Sequence, residues 1–237
     1  MKHKISWRQF CLPDLIEPIE GLGGIYEFGV FSGHSLQEIV NIYNRKKVPY
    51  SAVLGFDSFD GIPLETAEPI FNPAWDRREN HYFNAFNAQD YYKISGPENV
   101  AKYIHNSMED ILHSCHLAMI TGYYCDTLTS DLATRIKNTY HIGENNYKAS
   151  YVDIDVDIYT SAIEALEWMF SNKLLDVGTL VGYDDWGGTP GYKTMADGES
   201  RAHREITEKY GVTWEQVASN DDHVEGSQVI FRITGIA

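Results

Sequence analysis

The chain has 237 residues, with 19 lysines and arginines against 34 aspartates and glutamates, for a formal net charge of −15. That balance argues against binding a nucleic-acid phosphate backbone, which takes clustered basic side chains, and no run of about 18 apolar residues is present to span a membrane. The length suits one large α/β domain over residues 1–237, and 43% hydrophobic residues are enough for a sizeable core.

Residues 1–22 read as an N-terminal extension, with Pro13 and Pro18 in a short capping segment. Met1 to Trp7 is polar and lacks an apolar h-region, so no signal peptide is expected. A strand is predicted at about 24–28 and a helix at about 33–45, where Leu36, Ile39, Val40 and Tyr43 share one face. Arg45-Lys46-Lys47 closes that helix, where cations complement the dipole. Ala52 to Phe56 is a second strand ending at Asp57. Residues 58–87 hold little periodicity and read as an inserted loop or lid, kept ordered by Phe71, Trp75, Tyr82, Phe83 and Phe86. Helices follow at about 88–94 and 97–112, the second opened by Pro97 with Ser95 as its cap. Leu117 to Thr121 is the third strand, 129–138 a helix, Ala149 to Ile154 the fourth strand and 160–172 a helix. Thr179 to Tyr183 is the fifth strand, and a helix at about 195–210 ends at Gly211. Val212 to Val217 and Gln228 to Ile233 alternate as antiparallel edge strands do. Strands alternating with helices imply an α/β fold with a mostly parallel sheet, covered on both faces.

In such a sheet, ligands bind beyond the carboxyl ends of the strands. The first strand ends Glu27-Phe28-Gly29-Val30-Phe31-Ser32-Gly33-His34-Ser35. Glycines there permit a sharp turn and close approach of a ligand. Dinucleotide folds show G-x-G-x-x-G with a later acid; here the acid precedes the first glycine, as E-x-G-x-x-x-G. The second strand end places Asp57 where a carboxylate can accept ribose hydroxyls, or merely cap a turn. Tyr151-Val152-Asp153-Ile154-Asp155-Val156-Asp157-Ile158 alternates acidic and apolar residues, so that Asp153, Asp155 and Asp157 would share a face while the strand lasts. The fifth strand adds Asp184 and Asp185. Carboxylates converging from adjacent strands suit a hard divalent ion such as Mg²⁺.

These motifs together resemble the macrocin O-methyltransferase family of class I S-adenosylmethionine (SAM) methyltransferases. That family's D-G-D-L-Y-x-S appears as Asp155-Val156-Asp157-Ile158-Tyr159-Thr160-Ser161 and is followed by Asp184-Asp185-Trp186. Its second-strand motif appears as Gly55-Phe56-Asp57-Ser58-Phe59-Asp60-Gly61-Ile62-Pro63, and its G-x-x-x-D-T-L as Gly122 to Leu128. The resemblance runs from about residue 24 to about 190. It implies a Rossmann-like class I sheet, mostly parallel with an antiparallel C-terminal edge strand. It also implies SAM as methyl donor with S-adenosylhomocysteine (SAH) as product, Mg²⁺, and methylation of a sugar hydroxyl in natural-product assembly. Cofactor contacts are implied at Glu27, Gly29, Gly33, Ser35, Asp57, Ser58, Gly122, Asp126 and Asp155. Metal ligation is implied at Asp155, Asp184 and Asp185, and the general base at Asp157. Asp153 is unusual for the family, Trp186 stands where tyrosine is common, and Gly187 to Lys193 is longer than usual; these departures leave the acceptor open beyond a polyhydroxylated small molecule.

His34 could touch the cofactor carboxylate or simply start a helix. His223, beside Asp221 and Asp222, could be a second proton acceptor or sit in a plain loop. The Trp75, Tyr82 and Phe83 cluster could cover an acceptor or pack inside. Residues 1–20 and the insertion could serve a homo-oligomer interface. Cys11, Cys115 and Cys125 show neither zinc spacing nor a disulfide framework, which points to a reducing, cytoplasmic setting. Two other readings remain. Asp155-Val156-Asp157 is also the D-x-D of metal-dependent glycosyltransferases, and the fold could hold SAM or a nucleoside without catalysis.

Overall fold

The computed structural model describes residues 6–65, 67, 87–112, 116–139, 147–186, 198–220 and 228–237. The aromatic cluster of the insertion, Gly187 to Lys193, Cys115 and His223 lie outside the described residues.

A seven-stranded sheet forms the centre, in the order β3-β2-β1-β4-β5-β7-β6. Its strands are β1 (Leu22–Phe28), β2 (Ala52–Asp57), β3 (His116–Thr121), β4 (Lys148–Ile154), β5 (Leu180–Tyr183), β6 (Thr213–Asn220) and β7 (Gln228–Gly235). The first five pair parallel, and β7 runs antiparallel between β5 and β6. As expected from their alternation, the two C-terminal strands close the sheet antiparallel.

Alternation along each strand feeds two cores. Tyr26, Phe28, Val152, Ile154, Val181 and Tyr183 face one side, under α6 (Ser130–Thr139), α7 (Tyr159–Ser171) and α8 (Gly198–Tyr210). Ile25, Val53, Tyr151 and Leu180 face the other side, under α2 (His34–Lys46) and α4 (Pro97–Met108). The chain before the sheet packs on that second side too. It contains α1 (Trp7–Cys11) and a 3₁₀ turn whose Leu12 is fully buried. Two short helices, α3 (Ala88–Tyr92) and α5 (Tyr124–Thr127), sit among the connections.

Helix ends follow local chemistry. Lys47 closes α2 in the left-handed conformation, with Arg45 and Lys46 in the last turn. Helix α4 opens on Pro97, but the cap position is Gly96, at φ 90°, and not Ser95. A glycine is needed there because the chain turns through a conformation that a serine side chain opposes. The α-helix stops at Met108 and tightens into a 3₁₀ turn over Glu109–Ile111. Among the described residues, no helix is long and apolar enough to cross a membrane.

The order of strands reverses between β1 and β4, which are direct neighbours. Connections leave β1 in one direction and β4 in the other, so a crevice opens beyond the carboxyl ends of these two strands.

Candidate active site

The loop after β1 is built around one close approach. Gly29 donates its amide to Phe56 O at 2.9 Å and sits at φ 91°. A Cβ on Gly29 would lie 1.7 Å from the carbonyl oxygen of Asp155 in the loop after β4. Only glycine lets the two loops meet there. Gly33 starts α2 at φ 71°, facing Ile104. Asp57, at the end of β2, accepts the Phe31 amide on Oδ2 at 2.7 Å and the Phe59 amide on Oδ1 at 2.6 Å. Burial raises its pKa, and these amides pull it back.

A cavity of about 520 Å³ opens at this crevice. Gly29, Ser35, Asp57, Ser58 and Gly122 line one part of it, and Asp155, Asp157, Asp184 and Asp185 line another. The remaining sequence-predicted residues lie elsewhere. Gly33, at the end of the loop, lies against Ile104 and does not line the cavity. Asp126 is exposed on α5 and does not line the cavity, whereas Tyr123 and Tyr124 do. Two residues are about 200° of helical rotation, so when Tyr124 faces inward Asp126 faces solvent. His34 lines the cavity and pairs through Nδ1 with Ser32 Oγ at 3.2 Å.

Glu27 lies beneath the loop, fully buried, and neither carboxylate oxygen has a hydrogen-bond partner among the described residues. It stands opposite Asp153 across the β1/β4 pair. Burial first, and Asp153 second, push its pKa well above the usual carboxylate range, against the Ser35 hydroxyl and Arg8. A buried polar group left open in this way marks a place where ligand or water completes the bonding.

The acidic run departs from the expected single face. Strand β4 ends at Ile154, so only Asp153 is on it. Asp155 is the first residue beyond, held by its amide on Phe28 O at 2.9 Å. Asp157 turns into the left-handed region at φ 63°, which breaks the period of two. Its carboxyl lies beside that of Asp185 in the loop after β5. Burial and then Asp185 raise Asp157 well above the usual range; burial and then Asp184 push Asp185 up to about 6. Asp155 is likewise raised, by burial and then Asp184.

Asp155, Asp184 and Asp185 each offer an oxygen within 4.8 Å of the others. Hard carboxylate donors at that separation fit a divalent ion of the Mg²⁺ type.

Sequence reasoning missed three residues here. Arg8, on α1, ion-pairs with Asp153 at 2.8 Å, Asp184 at 3.0 Å and Asp155 at 3.1 Å. Glu199, on α8 and fully buried, accepts the Val156 amide at 3.1 Å and the Asp185 amide at 3.0 Å. It thereby ties together the two loops that carry the aspartates. Glu65 accepts the Thr160 amide at 3.2 Å and the Thr160 hydroxyl, which fixes the start of the insertion to the N-terminus of α7. No short-range pattern announces any of them, because each acts on residues far away in the chain.

No protein-family profile and no curated protein matches the chain. Solved structures do. The O-methyltransferase NovP superposes with a TM-score of 0.58 at 20% identity, over 90% of this chain and 72% of NovP. An O-methyltransferase from Bacillus cereus, in complex with SAH, superposes with a TM-score of 0.52 at 16% identity, over 99% of this chain and 84% of that one. Strand order, the antiparallel β7 and these superpositions together establish a Rossmann-like fold of the class I methyltransferase type.

Proposed function

We propose that the protein is a SAM-dependent O-methyltransferase of the macrocin type, acting on a hydroxyl of a sugar or another polyhydroxylated small molecule with the help of a divalent ion. The observation that carries this reading is the shared cavity: the glycine loop and Asp57 border the same space as Asp155, Asp157, Asp184 and Asp185. The buried, unpartnered Glu27 beneath that loop supports it, as does the fold shared with proteins described as O-methyltransferases.

SAM supplies an electrophilic methyl group when bound. The Gly29 to Ser35 loop, Asp57, Ser58 and Gly122 would hold it, with backbone approach at Gly29 and ribose hydroxyls on Asp57. An ionised carboxylate has about four acceptor positions, so two loop amides leave Asp57 room for a ribose. Asp126 is left out of this set, because it faces solvent. Asp155, Asp184 and Asp185 would hold Mg²⁺, which when bound lowers the pKa of a coordinated acceptor hydroxyl and orients it. Asp157, in its ionised form, would accept the proton of the acceptor hydroxyl. With SAM bound, the acceptor oxygen would take up the methyl group as the carbon–sulfur bond breaks and its electron pair stays on sulfur, leaving SAH. Holding the two reactants in line supplies much of the acceleration.

Isothermal titration of SAH and of a UDP-sugar, each with and without Mg²⁺, tests the reading. Micromolar SAH binding with no heat from the UDP-sugar is expected. Binding of the nucleotide sugar alone overturns it in favour of a D-x-D glycosyltransferase. SAH binding without turnover on any hydroxylated acceptor favours a non-catalytic binding protein.

A further inference from the structure

Arg8 reaches the acidic centre from a short element at the edge of the core, on which Trp7 and Cys11 pack against the second core. Helix α1 is five residues long and contains no buried residue. Phe10 on it is 77% exposed. Ser6 caps it through the Gln9 amide and donates to Glu38 on α2. The Arg8 side chain, by contrast, is only 11% exposed. Its Nε donates to Asp153 Oδ1 at 3.2 Å, and its Nη2 lies 2.8 Å from Asp153 Oδ2. That same Nη2 is 3.1 Å from Asp155 Oδ2 and 3.0 Å from Asp184 Oδ1.

A single nitrogen therefore bridges two of the three carboxylates that would ligate a divalent ion. Asp153, the aspartate without a place in the family pattern, supplies the two-point anchor that aims the guanidinium. Two cations cannot share Asp155 and Asp184 at such distances without strong repulsion in a buried site. A guanidinium also lacks any lone pair with which to join a coordination shell.

Building on the metal-centre reading above, we propose that Arg8 is a tethered counter-cation that competes with the divalent ion for Asp155 and Asp184. Entry of the ion withdraws Arg8 and loosens α1; docking of α1 weakens the ion. The coupling is reciprocal and of the usual order for linked sites, about 5- to 150-fold in affinity. It makes the first helix a sensor of cation occupancy, and it keeps the clustered aspartates neutralised while no ion is bound.

The test is titration of MgCl₂ and MnCl₂ into the wild type and into Arg8→Gln by calorimetry, with hydrogen exchange of residues 7–11 followed in the wild type. Arg8→Gln is expected to bind the ions at least about tenfold more tightly, and added ion is expected to speed exchange in the wild-type helix. Equal or weaker binding by Arg8→Gln, with exchange at 7–11 unchanged or slowed, overturns the proposal and leaves the metal reading standing. If neither protein binds a divalent ion while both bind SAH, the metal reading itself fails and takes this proposal with it. Should Arg8→Gln not fold, Asp153→Asn releases the anchor while leaving Asp155 and Asp184 in place, and the same tightening is expected. The hydrogen-exchange arm needs no variant.

Discussion

Asp57 holds Phe31: the Phe31 amide donates to Asp57 Oδ2 at 2.7 Å, which pins the glycine loop to the end of β2. The Phe59 amide occupies the other oxygen at 2.6 Å. The residue expected to hold a ribose is thus first a brace for the glycine loop after β1. Asp57→Asn replaces one acceptor with an NH₂ group facing an amide donor, a loss of about 1–3 kcal/mol. For a chain of this size that is roughly 2–4 °C of Tm per kcal/mol. Both Tm and SAH affinity should fall together. A variant that loses SAH affinity at unchanged Tm would show a ribose contact without the brace.

Gly29→Ala should be far more damaging than Gly21→Ala. Both glycines have positive φ, at 91° and 80°. At Gly29 the new Cβ would meet the Asp155 backbone at 1.7 Å, whereas at Gly21 nothing lies within 4 Å. Strain alone at Gly21 should cost roughly 1–2 kcal/mol. Gly29→Ala should add displacement of the Asp155 loop and abolish SAH binding. Thermal melts and SAH titration of the two variants check this, and equal effects would sink the close-approach argument.

Asp157→Asn should lower kcat by about 10²- to 10⁴-fold, the usual contribution of a general base, with SAH affinity unchanged. Asp184→Asn should abolish turnover while sparing SAH affinity. Methyl transfer measured with and without EDTA separates the roles, since full activity in EDTA removes any need for the ion.

Glu199→Gln tests a positioning residue. Both Glu199 oxygens accept amides, from Val156 and Asp185. Burial first and Asp185 second push its carboxyl up, and those amides pull it back toward the charged form. The amide side chain can accept only one of the two, at a cost of about 1–3 kcal/mol. Besides a lower Tm, the variant should need more Mg²⁺ and show reduced kcat at unchanged KM for SAM. A purely structural role would move Tm alone.

Acid stability should carry the mark of His203. It is packed among Tyr183, Trp186, Trp214 and Phe231, with Tyr183 Oη 3.0 Å from its Nδ1. Burial first and Arg204 second lower its pKa from 6.5 to about 3. The folded protein keeps it neutral while the unfolded chain takes up the proton, so stability rises with pH between about 3 and 6.5. The slope is about 1.4 kcal/mol per pH unit inside that window. His203→Phe should flatten this part of the curve in thermal unfolding between pH 4 and 6. An unaltered slope would mean that the imidazole is not the group responsible.

The alternation of strands and helices was determined by the sequence alone, because hydrophobic period, glycine position and proline position act over a few residues. Leu36, Ile39, Val40 and Tyr43 line the buried face of α2 as their spacing requires, and all are fully buried. Gly29, Asp57, Asp155 and Asp184 could be named in advance because each follows directly from a strand end. Tertiary structure decided the rest. The period-two pattern of Asp153, Asp155 and Asp157 ended with β4 at Ile154, where the chain leaves the strand and Asp157 turns left-handed beside Asp185. Arg8 meets Asp153 and Asp155 across 145 and 147 residues of chain, and Glu199 spans 43 residues to reach Val156. Such pairings are set by how the sheet brings its carboxyl ends together, and buried charge finds whichever opposite charge or amide the completed fold puts within reach.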